Sequence, residues 1–317
     1  MLYVLPLLIA LALDALLGWP DALFRRISHP VVWIGALIAR LDRRWNREGA
    51  PFARRRAAGI AAALLTVGVA VATGAAVQAL LPAGWAGVVL TGIFCWPLLA
   101  ARSLHDHVAR VARPLAAGDL KGARAAVAMI VGRDPAQLDA PAVARAAIES
   151  LAENASDGVV APLFWGVIFG LPGIAGYKAV NTLDSMIGHR TPRHEAFGWA
   201  AARIDDAANL IPARLTALCF ALAGPAPRRA LATVRRDAGL HRSPNAGWPE
   251  AAMAGSLAIR LSGPRVYANR QSDEPWVNAG GADPDSAGIR AALGLYRRAL
   301  IGLALVLALL AAIWAAI

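Results

Sequence analysis

Three stretches of this chain, Ala57 to Leu81, Ala83 to Ala101 and Ala299 to Ile317, contain no acidic or basic side chain. A helix needs roughly 20 apolar residues to cross the ~30 Å hydrocarbon core of a bilayer, and each stretch is about that long. Leu2 to Gly18 is a slightly shorter run that carries one acid, Asp14. Gly158 to Tyr177 is also uncharged, but Pro162, Pro172 and several glycines interrupt it. Backbone that leaves the helix at membrane depth is tolerated where it lines a polar cavity, and Gly170-Leu171-Pro172-Gly173 is a natural break. The fold expected is therefore all-α: a single polytopic membrane domain, 1–317. Its membrane helices lie at about 2–18, 57–81, 83–101 and 299–317. Broken or re-entrant apolar segments at about 158–177 and 207–224 surround a polar cavity facing the cytoplasm.

Charge supports the same class. Only 17% of the residues are charged, against about a quarter in soluble domains. The net charge of +11 would suggest nucleic acid as a partner of a soluble protein. In a membrane chain it reads instead as the Arg and Lys bias of cytoplasmic loops, so no nucleic-acid partner is expected. Segment 20–56 holds Arg25, Arg26, Arg40, Arg43, Arg44, Arg47, Arg54, Arg55 and Arg56 against Asp21, Asp42 and Glu48, which places it in the cytoplasm. The first apolar run has no basic region before it and no small-residue cleavage site after it, so it reads as a retained helix. The two cysteines, Cys95 and Cys219, lie in apolar segments without motif spacing, which fits buried spectators and excludes a disulfide framework.

Segments 102–157 and 225–298 are polar and, with Arg228, Arg229, Arg235 and Arg236 in the second, also belong inside. An even number of crossings must then separate them. Two crossings would put 178–206 outside, away from the remaining polar residues. Zero crossings make 158–177 and 207–224 re-entrant, and Arg214 within the second counts against simple lipid exposure. The second alternative is the one favoured.

The stretch from Glu149 to Arg214 is too charged to face lipid. Ala142 to Asp157 reads as one helix with Glu149, Glu153 and Asp157 on a single face at i, i+4 and i+8. Like charges so spaced repel. Either Arg145 and solvent neutralise them, or a divalent ion does, since Mg²⁺ favours a few carboxylates together with substrate phosphates. Lys178 follows, then Asn181, Asp184, Ser185 and Gly188 at i, i+3, i+4 and i+7. His189, Arg190, Arg193 and His194 form a basic cluster, either an interfacial charge belt or a fork for an anionic group. Arg203, Asp205, Asp206, Asn209 and Arg214 close the stretch. The acid pair there fits metal–phosphate binding or, more blandly, a helix N-terminus.

Outside the stretch, His29-Pro30 follows the first helix, and His29 alone reads more readily as structural than catalytic. His241 to Glu250 is a turn-rich loop ending in an acid, and such loops often carry function. His105 and His107 point apart on a helix and make a poor metal pair. No phosphate-binding G-x-x-x-x-G-K-[ST] loop, G-x-S-x-G elbow or H-E-x-x-H helix is present.

These residues, taken together, resemble the CobD/CbiB family of cobalamin biosynthesis, the adenosylcobinamide-phosphate synthases. The resemblance rests on Glu149-Ser150-Leu151-Ala152-Glu153-Asn154 with Asp157-Gly158 and Ala161-Pro162-Leu163-Phe164, and on Tyr177-Lys178 with Asn181-Thr182-Leu183-Asp184-Ser185-Met186. It continues through Phe197-Gly198-Trp199, Ala202-Arg203-Ile204-Asp205-Asp206 to Asn209, Pro212 to Thr216, Ser243 to Gly255 and His29-Pro30. It covers most of the chain. One departure is Leu261-Ser262-Gly263-Pro264, where the family pattern leads one to expect glycine at 262.

The resemblance implies an ATP-dependent ligation at the cytoplasmic face of the inner membrane. Adenosylcobyric acid, a corrinoid, is joined as an amide to (R)-1-aminopropan-2-yl phosphate or aminopropanol. ATP would turn the carboxylate into an acyl phosphate, with Mg²⁺ between the phosphates. Glu149, Glu153, Asp157, Asp184, Asp205 and Asp206 would share metal and general-base duties, with Asp157, Asp184 and Asp206 as the Mg²⁺ set. Lys178, Arg190, Arg203, Arg214 and Arg242 would take phosphates. Asn154, Asn181, Asn209 and Asn245 would orient substrates, with His29, Ser185, Ser243 and Glu250 also in the substrate site. Other membrane-associated enzymes of cobalamin assembly are implied as partners. Two rival classes fit the residues: an AmpE-like membrane sensor that binds a nucleotide without synthesis, and a Mg²⁺-dependent prenyl- or alcohol-phosphate transferase. The latter would need a lipid groove and a repeated N-D-x-x-D pair, and the chain has only Asn181…Asp184.

Overall fold

A computed structural model describes residues 3–316 apart from 133, 268, 269 and 273. It is a polytopic helical membrane protein. Among the described residues five helical runs are long and apolar enough to span: Asp21–Trp45, Phe52–Leu80, Trp85–Ala116, Ala140–Gly188 and Ser286–Ile313. Trp199–Ala208 and Leu210–Ala223 pass only when taken together across a bend. The first of the five falls in the Arg-rich segment that the charge pattern assigns to water. It consists of two helices broken at Ser28–His29, with Arg25 and Arg26 beside the break and Arg43 and Arg44 at the C-terminal end.

The contacts between residues divide the chain into two compact units. The first contains 1–100, 161–209 and 307–317; the second contains 101–160 and 210–306.

In the first unit lie α1 (Val4–Leu17), α2 (Asp21–Ile27), α3 (Pro30–Trp45), α4 (Phe52–Leu80) and α5 (Gly84–Cys95). A 14-residue helix such as α1 extends only about 21 Å, short of a full crossing. The helix starting at Ala161 runs to Leu183 but is two helices joined at Gly170, whose φ of 69° and ψ of −146° are open to glycine and strained for other residues. That break frees backbone groups in an apolar setting. Gln78 of α4 answers it, its Oε1 accepting the Leu171 N–H at 2.8 Å while its amide donates to the Tyr3 hydroxyl at 3.1 Å. Close approach makes this possible: a Cβ on Gly74 would meet the Leu171 carbonyl and Pro172 at 2.9 Å. Ile38, Leu41, Ala62, Ala63, Leu183 and Phe197 form a core between α3, α4 and the residues after 183.

The second unit holds the helices Ala101–Ala116, Leu120–Val127, Ala140–Ala155, Leu210–Ala223, Pro227–Asp237 and Gly247–Leu257, with Ser286–Ala316 starting in it. In chain order, counting the first unit's Ala161–Leu183 as α9 and Trp199–Ala208 as α10, these are α6, α7, α8, α11, α12, α13 and α14. Its core gathers Val108, Val111, Ile148, Leu151, Phe220, Met253 and Ile289, and the buried Tyr296 hydroxyl donates to the Ala101 carbonyl at 3.0 Å. Two short antiparallel ladders follow α13. Strand β1 (Leu261–Ser262) pairs with β4 (Trp276–Val277), and β2 (Arg265–Tyr267) pairs with β3 (Arg270–Ser272).

Candidate functional site

Glu149 and Glu153 lie one turn apart on α8, and Asp157 falls just beyond the end of that helix. Helix α8 begins at an Asp139 cap, whose carboxylate accepts the Ala142 N–H at 2.8 Å, and ends at Ala155. Residues 156–160 then wind as a wide π-helical turn, so Asp157 lies outside the regular α-helix. Glu149 is buried, Glu153 is exposed and Asp157 is half-buried. Arg145, the sequence-level candidate to neutralise them, is engaged elsewhere. Its Nη1 lies 2.6 Å from Asp283, and its guanidinium lies 5.1 Å from the Trp276 ring, while Arg260 approaches the same ring at 4.4 Å.

Glu149 turns inward to β1. Its Oε1 accepts the Ser262 N–H at 2.7 Å, and the Ser262 hydroxyl donates to Glu250 Oε2 at 3.3 Å. Ser262 has φ 58°, the left-handed region, and the next residue, Gly263, has φ 84°. Glu250 stands in the first turn of α13, with His241 Nε2 3.8 Å from its Oε1. His241 Nδ1 accepts the Ser243 N–H at 3.0 Å, which leaves the ring proton on Nε2, toward Glu250. The Ser243 hydroxyl oxygen accepts the N–H groups of Asn245 and Ala246 at 3.3 and 3.2 Å. Arg214 on α11 lies 4.1 Å above the Trp248 ring and donates to Leu210 O at 2.6 Å and to Asn245 Oδ1 at 3.5 Å. Arg242 is exposed, 3.9 Å from Glu274, and lines a small cleft with His241 and Ser262. Asn154 is exposed and donates back to the Ser150 carbonyl at 2.9 Å. The second unit thus links Glu149, Glu250, Ser243, Asn245 and Arg214 through hydrogen bonds and stacking, with Ser262, His241 and Trp248 as members the sequence argument left out.

Two acids beside these strands carry shifted affinities. Burial alone would raise the Asp237 carboxyl, but hydrogen bonds from Arg236 at 2.7 Å and from the Asn278 N–H at 2.7 Å hold it below the ordinary range. The Arg260 guanidinium hydrogen-bonded to Asp283 does the same there.

In the first unit the α9 helix ends at Leu183 and Asp184–Gly188 forms a second π-helical turn. Asp184 there feels the charges of His189 and Asp206. Ser185 Oγ donates to the Asn181 carbonyl at 2.9 Å. On α10 (Trp199–Ala208), Arg203 lies 3.4 Å from Asp206. Asn209 donates to Asp205 Oδ2 at 3.0 Å and accepts the Tyr177 hydroxyl at 2.8 Å, a chain in which Tyr177 is the unforeseen member. Lys178 is buried, and its charge reaches His29. His29 also caps α3, its Nδ1 accepting the Val31 N–H at 3.2 Å, so the structural role is real. The basic cluster divides. Arg193 grips Asp42 at 2.9 Å and Glu48 at 3.1 Å, and its carbonyl accepts from Asn46 and Arg55, whereas Arg190 is exposed. His105 and His107 engage Asp106 and the Ser103 carbonyl.

Among the described residues no three His, Cys, Asp or Glu side chains stand close enough together to enclose a metal ion. Asp184 is within electrostatic reach of Asp206, and one or two carboxylates completed by substrate phosphates and water is the mode Mg²⁺ prefers.

Comparison with known proteins gives one family. The profile described as CobD/Cbib protein matches residues 7–296. The Rhodobacter capsulatus protein named Cobalamin biosynthesis protein CobD is 64% identical over 308 residues, 97% of each chain. Proteins of the same name from a Sinorhizobium species and Brucella suis are 50% identical over 87% of each chain and 48% identical over 91% of this chain and 90% of theirs. No solved structure matches the chain.

Proposed function

The chain belongs to the CobD/CbiB family, and on that premise we propose that this membrane protein of cobalamin biosynthesis joins adenosylcobyric acid to (R)-1-aminopropan-2-yl phosphate, or aminopropanol, in an ATP-dependent amide ligation. What supports the reading is the family match, together with a carboxyl at the π-helical turn after α9, Asp184, that lies within electrostatic reach of His189 and Asp206. Acids within electrostatic reach of one another beside an apolar helix suit a cation shared with substrate phosphates better than they suit a packed core.

The corrinoid carboxylate is a poor acyl donor. Transfer of the ATP γ-phosphoryl group to it gives an acyl phosphate and ADP. The amine then attacks the carbonyl, phosphate leaves and a proton is lost from nitrogen. Asp184 and Asp206 would hold Mg²⁺, which when bound neutralises phosphate charge. Lys178, Arg190 and Arg203 in the first unit, and Arg214 and Arg242 in the second, are the cations assigned to substrate phosphates. Arg214 is held over the Trp248 ring, a contact that restrains its fork. Glu149, Glu153, Asp157 and Asp205 are the remaining acids for the proton taken from the amine, and Glu250 belongs with them through Ser262. Asn154, Asn181, Asn209 and Asn245, with His29, Ser185 and Ser243, orient the reactants. The active site is assigned to the cytoplasmic face of the inner membrane on the arginine bias of the loops.

The test is an assay of detergent-solubilised protein with adenosylcobyric acid, aminopropanol phosphate, ATP and Mg²⁺, each omitted in turn. Amide should form only in the complete mixture, with ADP and phosphate released in equal amounts. Amide formed without ATP would sink the ligase reading.

A further inference from the structure

We propose that the first unit carries a binding site for one anionic phospholipid of the surrounding bilayer, seated in the groove between α4, α9 and α10. The groove has a volume of about 540 Å³, inside the roughly 300–1,000 Å³ range of ligand sites. Its walls include Ile60, Trp165, Trp199, Ile204 and Ala207, and Arg203 is the charged residue that borders it. Among the described residues no segment fills it, and its lining suits an acyl chain rather than a polar metabolite.

The depth of the groove follows from α4. Arg54, Arg55 and Arg56 end the charged part of that helix, and Ala57 opens its uncharged run. Arg56 therefore marks the boundary between water and hydrocarbon, and Ile60, one turn on, lies about 6 Å deeper. Trp199 and Trp165 in the wall are the ring type that collects at that level. The Trp165 indole N–H is already committed to the Ala208 carbonyl at 3.1 Å, so the wall offers its apolar ring surface to an occupant.

Charge decides which lipid. The Arg56 guanidinium is parked 3.6 Å from the centroid of the ring of Trp199, a residue of the groove wall. It makes no ion pair among the described residues, while Arg203 shares its charge with Asp206 at 3.4 Å. A phospholipid whose chain enters the groove brings its phosphate to the level of Arg56. A headgroup with net negative charge gains from that arginine, and a zwitterionic one gains less. An arginine near an anionic membrane surface is worth about a fivefold change in affinity.

The test uses the full chain in nanodiscs of phosphatidylglycerol and phosphatidylcholine in equal amounts, followed by native mass spectrometry after detergent release. Wild type should keep one phosphatidylglycerol in preference to phosphatidylcholine. Arg56→Gln should weaken that retention about fivefold, and Ala207→Trp, which fills the groove, should abolish it. Helical content by circular dichroism checks each variant, and Ile60→Trp replaces Ala207→Trp if the latter unfolds. Soluble glycerol 3-phosphate should fail to displace the lipid, because it lacks the chain. Equal retention of the two lipids, unchanged retention in Arg56→Gln and the groove-filling variant, or displacement by glycerol 3-phosphate would each overturn the proposal.

Discussion

Glu149 Oε1 accepts the backbone N–H of Ser262 at 2.7 Å, across 113 residues of sequence, and Ser262 holds a left-handed backbone to receive it. The carboxylate of α8 is thereby tied to a strand end. The same serine reaches Glu250 through its hydroxyl, so one residue orients two buried acids.

That geometry sets opposite expectations for substitutions at one position. Ser262→Gly removes the penalty of a side chain at positive φ and gives up one long hydrogen bond, so its stability should stay within about 1 kcal/mol of wild type. Ser262→Val adds a branched side chain where the left-handed backbone is already costly by about 1–2 kcal/mol, and it should melt distinctly lower. Glu149→Ala strands the Ser262 N–H and should lose about 1–3 kcal/mol, while Glu149→Gln keeps an acceptor and loses less. Thermal unfolding in detergent reads all four.

Asp184→Asn tests the acid pair. If Asp184 serves metal or proton, amide formation at saturating Mg²⁺ should drop by at least ~100-fold, with unfolding temperature unchanged. A rate near that of wild type would remove Asp184 from both roles.

Arg214 sits over the Trp248 ring, so its contribution includes that contact as well as its charge. Arg214→Lys keeps the charge but loses the broad contact with Trp248, so KM for the phosphate-bearing substrate should rise about fivefold. Trp248→Leu should act alike, and the double variant should fall short of the sum, because the two side chains form one contact.

Asp237 gives the acid dependence a sign. Its folded carboxyl is held below the usual range by Arg236 and the Asn278 N–H, so the stabilisation is fully present above the unfolded value of about 3.9. It is lost as pH falls through the lower folded value. Unfolding followed by limited proteolysis between pH 5 and 2 should show this loss in wild type. Asp237→Asn should be weaker at neutral pH and flatter over that interval.

The long uncharged runs announced membrane helices because lipid permits few other residues over that length, a rule that acts on local sequence alone. The acids, asparagines and arginines of Glu149 to Arg214 were visible for the same reason, since charge near an apolar run demands an explanation. Their grouping was not visible. A π-helical turn at 156–160 and another at 184–188 differ from ordinary helix by a single inserted residue, and periodicity counts carry that residue forward without a break. The i+8 spacing that puts Asp157 on the face of Glu149 assumes a regular helix, and the regular helix stops at Ala155.

Sequence by itself determined that the chain is a helical membrane protein, where it carries charge, and which family it resembles. These follow from solvent compatibility and residue identity, which need no third dimension. Tertiary structure alone decided that Arg145 serves Asp283 rather than the α8 acids, that Gln78 repairs the helix break at Leu171, and that Ser262 joins Glu149 to Glu250. Each is a pairing between residues far apart in the chain. A buried polar group takes whichever partner packing brings to it, and no local pattern encodes that choice.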